Sequence, residues 1–284
     1  MGMLSLPNEL LLIIAQDFSV KDLYRLLSTC SRLSSLFIQQ FQELALQDVG
    51  SLTALQWAAR HGHAPLAELV LSKGAREAPN NGKWRRCFQS PLYMAATHNH
   101  PDVIRVLAKY GERMTARSLF GAANQGFAQV IKVLLELGAN MASVQSKRTP
   151  VHISAGRGDI DSMRAFIDAG LDFHLEDGRG RTVLHEAIAT RRVAMTEFLL
   201  GHGAKEIVNA RDSTGKTPLH WAVFGPTANE EVVKLLCYHG ADPEVADNLG
   251  NTPVGLALEG RRGSLTSMLL EHLYGESFGS GTKL

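Results

Sequence analysis

The chain is short of cysteine, of net charge and of long apolar runs, and each shortage excludes something. Its 284 residues include three cysteines, Cys30, Cys87 and Cys237. An odd, widely spaced set offers neither a disulfide framework nor paired metal ligands, so a reducing compartment is expected. Formal net charge is +1, so no overall field argues for nucleic acid or an anionic membrane as partner. The longest apolar run near the start, Leu10 to Ala15, is bounded by Glu9 and Gln16-Asp17. It is too short for a signal-peptide core, and nothing later approaches the length of a membrane span. No Asn-x-Ser/Thr sequon occurs. The expectation is a soluble cytoplasmic and/or nuclear protein with no membrane partner.

What is present is repetition. One phrase recurs seven times: Thr53-Ala-Leu-Gln, Ser90-Pro-Leu-Tyr, Arg117-Ser-Leu-Phe, Thr149-Pro-Val-His, Thr182-Val-Leu-His, Thr217-Pro-Leu-His and Thr252-Pro-Val-Gly. The spacings are 37, 27, 32, 33, 35 and 35 residues. A period in this range means stacked supersecondary units rather than one globular core. In the most regular copy, Asp212-Ser-Thr-Gly215-Lys reads as a turn in which Gly215 can take a left-handed angle. Thr217 is placed to cap a helix, and Pro218 suits its first position. Leu219, Ala222 and Val223 then share one helical face. A second helix carries Val232, Val233, Leu235 and Leu236, and Gly240 ends it. Asp177, Asp212 and Asp247 stand five residues before the Thr, and Gly180, Gly215 and Gly250 two before it. The first three copies lack that Asp and Gly.

The phrase, the Ala-Ala that follows it and the later Leu-Leu-x-x-Gly-Ala resemble the ankyrin repeat. The resemblance implies six repeats and a seventh serving as a cap, whose outer side Arg261, Arg262, Glu271 and His272 make polar. It also implies that His152, His185 and His220, at the fourth position, bond with the Thr hydroxyl and with neighbouring repeats. They are then structural histidines rather than ligands or bases.

Residues 3–38 do not follow the repeat. Pro7 suits a helix start, with Glu9 in the first turn and Leu10, Ile13 and Ile14 at helical spacing. Asp22 opens a second helix with Leu23, Leu26 and Leu27; Leu33, Leu36 and Phe37 line a third. Three short helices bury too little apolar surface to stand alone. The ordered set Leu6, Pro7, Glu9, Asp22, Leu23, Cys30 and Leu33 resembles the F-box. The expected organisation is all-α: an F-box-like domain over 3–42, a linker over 43–51, an ankyrin α-solenoid of six to seven repeats over 52–274, and a flexible tail over 275–284.

An F-box followed by binding repeats resembles the substrate receptors of cullin-RING ubiquitin ligases. That implies docking on a Skp-type adaptor, and so on the cullin, through Leu6 and Pro7, with Leu10, Leu11, Leu23 and Leu26 as additional contacts. The repeats would present a target protein to the ligase, raising its effective concentration there. A plain ankyrin scaffold with an N-terminal helical cap is the alternative. A third possibility, an enzyme or small-molecule carrier, requires titratable groups clustered in a pocket of the groove.

The residue after the fourth motif position faces the concave side of such arrays: Trp57, Met94, Gly121, Ile153, Glu186, Trp221 and Leu256. The two tryptophans suit hot spots, although each could equally pack on a hairpin. The finger Pro79-Asn-Asn-Gly-Lys-Trp84-Arg85-Arg86-Cys-Phe88 pairs cations with aromatics, which suits an acidic or phosphorylated peptide or merely a solvated insert. Its footprint is small for nucleic acid. Gly215-Lys-Thr lacks the earlier glycine of a phosphate loop, because position 210 is Ala. His61-Gly-His63 and His98-Asn-His100 have no accompanying cysteine or acid cluster, so no metal and no cofactor are expected. No catalytic residue and no enzymatic activity are expected.

Overall fold

The computed structural model describes residues 51–72, 90–142, 148–224 and 228–275. The F-box-like segment 3–42, the linker up to residue 50, the Trp84 finger and the tail beyond Gly275 lie outside them. The described residues contain fourteen α-helices and no β-strand. The all-α ankyrin-repeat class expected from the period is the class observed.

The chain divides into two units, 1–113 and 114–284. In the first, α1 (Ser51–His61) and α2 (Ala64–Ser72) precede α3 (Pro91–Thr97) and α4 (Pro101–Lys109). Leu55, Leu66, Val70, Leu92, Ile104 and Leu107 are buried between them. The turn between α3 and α4 reaches back to the one before it: the His100 Nε2 lies 3.0 Å from the Arg60 carbonyl.

The second unit holds five helix pairs. They are α5 (Ala116–Gln125) and α6 (Ala128–Glu136), α7 (Pro150–Arg157) and α8 (Ile160–Asp168), and α9 (Val183–Ala189) and α10 (Val193–Gly201). Then come α11 (Pro218–Val223) with α12 (Glu230–Tyr238), and α13 (Pro253–Glu259) with α14 (Gly263–Tyr274). The first helices α5, α7, α9, α11 and α13 pack in sequence order as one layer, and the second helices form the other. Each first helix is short and rich in small residues. Leu119, Ala122, Leu184, Ala187, Leu219 and Ala222 are fully buried, so the layers approach closely. Repeat five is longer than repeat four because a 3-10 turn, Ala204–Ile207, follows α10 and buries Ile207.

The caps follow the phrase in four copies. The hydroxyls of Ser90, Thr149, Thr217 and Thr252 each accept the N–H three residues on. In the third copy the helix starts earlier: Thr115, not Arg117, is the cap and accepts the Ser118 N–H at 3.3 Å. Arginine has no short acceptor to offer an open helix end, so the chain enters the helix at the nearest residue that does. Thr115→Ala is therefore expected to cost about 1 kcal/mol in chemical denaturation and to speed amide exchange at Ser118. Unchanged exchange there would rule out the cap.

Candidate protein-binding face

The repeats starting at 182, 217 and 252 each begin as a hairpin closed by backbone. The Asp177, Asp212 and Asp247 N–H groups donate to the Arg181, Lys216 and Asn251 carbonyls at 2.8 to 2.9 Å. The aspartate side chains then fold back over the turn. Asp177 Oδ1 accepts the Arg179 and Arg181 N–H at 2.7 and 3.0 Å, and Asp212 Oδ1 accepts those of Thr214 and Lys216 at 2.8 and 3.0 Å. Asp247 does the same for Leu249 and Asn251. Burial alone would raise the Asp177 and Asp212 carboxyls, but side-chain donors, Arg181 to the first and Thr214 and Trp221 to the second, together with these amides hold both below the usual range.

Gly215 is needed for two reasons. Its φ is +79°, and a Cβ there would meet Asn248 Oδ1 at 2.3 Å and the Asn248 N at 2.7 Å. Successive hairpins touch through backbone at this point, with Ser213 N–H donating to the Arg179 carbonyl and Asn248 N–H to that of Thr214, both at 3.0 Å.

The histidines join repeats as the resemblance implies. His185 Nδ1 accepts the Thr182 N–H at 3.2 Å, and His220 Nδ1 accepts the Thr217 N–H at 3.0 Å. A nitrogen that accepts an amide proton cannot also hold one, so Nε2 carries the ring proton. It donates to the next hairpin: His152 to the Arg181 carbonyl at 2.7 Å, His185 to Lys216 at 3.1 Å, and His220 to Asn251 at 3.0 Å. All three rings are buried. Burial lowers each imidazole, and that of His185 falls to about 4. Neutral, internally bonded rings of this kind are structural.

Four of the anticipated face residues differ in fate. Met94, Ile153 and Trp221 are half-buried, on the first helices of their own repeats. The Trp221 indole N–H donates to Asp212 Oδ2 at 3.0 Å, and the Arg181 guanidinium lies 6.0 Å from its ring centre. Its polar edge is thus tied to its own hairpin while part of the ring stays exposed. Glu186 corrects the expectation. Its side chain is fully buried, 2.7 Å from Arg148 Nη2 and 3.0 Å from Arg181 Nη2. Both oxygens lie at ion-pair distance but outside hydrogen-bond angles. The glutamate folds inward because Gly156, on the neighbouring first helix, leaves the space: a Cβ there would fall 2.9 Å from Glu186 Oε1. Burial raises the Glu186 carboxyl, and the two arginines oppose that rise.

The side chains of Trp57, Trp84, Arg85 and Arg86 lie outside the described residues, as do Leu6, Pro7, Leu10, Leu11, Leu23 and Leu26. Three face residues went unremarked in the sequence: Arg148, Arg181 and Phe224. The signal for the first two was available, because the residue before the phrase is Arg148, Arg181 and Lys216 in three successive copies. Phe224, 53% exposed just past α11, has the Lys216 ammonium 4.7 Å from its ring centre.

No group of three or more potential metal ligands occurs among the described residues. His63 Nδ1 accepts the Leu66 N–H at 3.1 Å, so one member of the His61/His63 pair serves a helix end. Burial pushes the Cys237 thiol up to about 11, leaving it a poor nucleophile near neutrality. No helix among the described residues is long and apolar enough to cross a membrane.

Stacked helix pairs joined by bonded hairpins define a class, the helical-repeat protein-interaction scaffold. Models of ankyrin repeats match residues 19–118, 119–210, 158–247 and 205–278, and the chain belongs to the ankyrin-repeat family. The first match begins inside the segment that resembles an F-box. Similar curated proteins include the E3 ubiquitin-protein ligase KEG of Arabidopsis thaliana, 28% identical over 181 residues, which are 60% of this chain and 11% of that protein. The human ankyrin repeat and SOCS box protein 16 is 28% identical over 219 residues, covering 71% of this chain and 46% of the relative. The neurogenic locus Notch protein of Drosophila melanogaster is 37% identical over 94 residues, 32% of this chain and 3% of the relative. The chain thus spans less than half the length of these relatives.

Proposed function

We propose that the chain is the substrate receptor of an SCF-type cullin-RING ubiquitin ligase. Residues 3–42 dock on a Skp-type adaptor, and the repeats hold a target protein near the conjugating enzyme. The observation that carries this reading is the ordered set Leu6, Pro7, Glu9, Asp22, Leu23, Cys30 and Leu33 ahead of a binding array. An E3 ubiquitin-protein ligase among the relatives supports it. The receptor breaks no bond itself and works in the cytoplasm or nucleus. Arg148 and Arg181 are matched internally by Asp177 and Glu186, which leaves little of these four groups for an enzyme or carrier to use.

A second reading has one observation in its favour. The ankyrin match starts at residue 19, so the N-terminal segment could extend the array as a cap, making the protein an ankyrin scaffold without a ligase. Co-purification with adaptor and cullin separates the two. The receptor reading expects stoichiometric binding by the wild type and its loss in the Leu6→Ala/Pro7→Ala variant, since interface energy concentrates in a few anchors. A folded wild type that binds no adaptor leaves only the scaffold.

A further inference from the structure

We propose that the hairpin side of the repeats starting at 149, 182 and 217 binds a carboxylate-rich protein segment carrying one large apolar side chain. The inference rests on the reading of the array as a target-binding surface and names the chemistry of that target.

Charge asymmetry carries the argument. The carboxylates of these hairpins are turned inward. Asp177 and Asp212 are buried beneath their own turns, and Glu186 is enclosed between Arg148 and Arg181. The cations are turned outward. Arg179 and Arg211 are exposed, Lys216 is half-buried, and none of the three forms an ion pair with a described residue. Arg148 keeps 47% of its side chain open despite its bond to Glu186. Glu176 is the exposed acid next to the 177–181 turn; Asp172 and Glu206 are exposed further back in the same segments, Glu206 3.6 Å from His174. A near-neutral chain thus presents a locally positive edge because folding has internalised the opposing charge.

The positive edge adjoins an aromatic one. Lys216 lies over the Phe224 ring, and Arg181 over that of Trp221. The Ser213 N–H donates to the Arg179 carbonyl and sets the two hairpins side by side. Carboxylates would meet the cations, while one large apolar residue would rest against the 53% exposed Phe224 as its apolar anchor point.

The test is a displayed library of random peptides selected on the full chain, followed by fluorescence anisotropy of the enriched peptides. Enriched sequences should surround one aromatic or aliphatic residue with Asp and Glu, and their binding should weaken as salt is raised. Arg179→Glu/Lys216→Glu should bind them about tenfold more weakly or worse, with an unchanged melting temperature. Phe224→Ala should lose affinity without losing the salt dependence. No enrichment, enrichment of neutral or basic peptides, equal binding by the charge-reversed variant, or preferential binding of a single-stranded oligonucleotide each overturn the proposal. Adaptor co-purification distinguishes this failure from failure of the ligase reading, because neither substitution touches residues 3–42.

Discussion

Acidifying the protein from pH 7 to pH 5 is expected to lower its melting temperature substantially, with the loss centred on the last four repeats. His152, His185 and His220 are held neutral between a Thr and the carbonyl of the next hairpin. In the unfolded chain such imidazoles titrate near the ordinary value of about 6.5. In the folded chain all three are lowered by burial, His185 to about 4. Between those values the unfolded state binds more protons, so stability is present above about 6.5 and declines as pH falls towards 4. His185 alone contributes about 2 kcal/mol of that decline by pH 5. His152 and His220 act in the same direction.

Other groups have different windows. Asp177 and Asp212 are depressed, so their contribution persists through this range and is lost only below the ordinary carboxylate range. Glu186 opposes the histidines: its carboxyl is raised, so acid relieves it. One carboxyl set against three imidazoles does not cancel them. Thermal melts at pH 7, 6 and 5 read the effect directly, and a midpoint flat across that range would refute it. His185→Gln keeps an N–H donor while removing one titration, so its slope should be shallower.

Arg181→Met should be the most damaging single substitution in the hairpins. The guanidinium donates Nε–H and Nη2–H to Asp177 Oδ2 at 2.9 and 2.7 Å and lies 3.0 Å from Glu186. Its own side chain is 8% exposed, and both carboxylate side chains are fully enclosed. Removing one member of a buried ionic set leaves its partners desolvated and under-neutralised, a loss of about 3 kcal/mol or more. Repeats couple chiefly to their neighbours. The damage should therefore appear first as faster amide exchange over 177–186 and in α7, before the melt of the remaining repeats. Arg181→Met/Glu186→Met removes both charges, and a well-packed apolar pair can restore much of the loss. A single variant as stable as wild type would mean that solvent reaches this pocket.

Motifs that close within a few residues were legible as text. Thr217 caps α11 three residues from the His220 amide, and the Asp212 carboxylate returns to amides two and four residues on, so their geometry follows from local chain stiffness and hydrogen bonding. The third repeat was less legible, because its cap is Thr115 and the phrase position holds Arg117. Glu186 was not legible at all. Its fate depends on Gly156 and Arg148, thirty and more residues earlier, which no local rule connects to it. Trp221 falls between: its indole finds Asp212, nine residues back across a turn.

By itself, then, the sequence determined the repeat, its period and most of its caps, because each is written in contacts of short range; the joining role of the histidines came through the ankyrin resemblance, since their bonds to the next hairpin span 29 to 31 residues. Only the tertiary structure decided which charges face solvent. Stacking sets Glu186 in the gap at Gly156 under two arginines and turns the hairpin aspartates beneath their own backbone, while Arg179 and Arg211 stay outside. A carboxylate is buried where guanidinium and amide donors converge on it, and that convergence exists only once neighbouring repeats are packed.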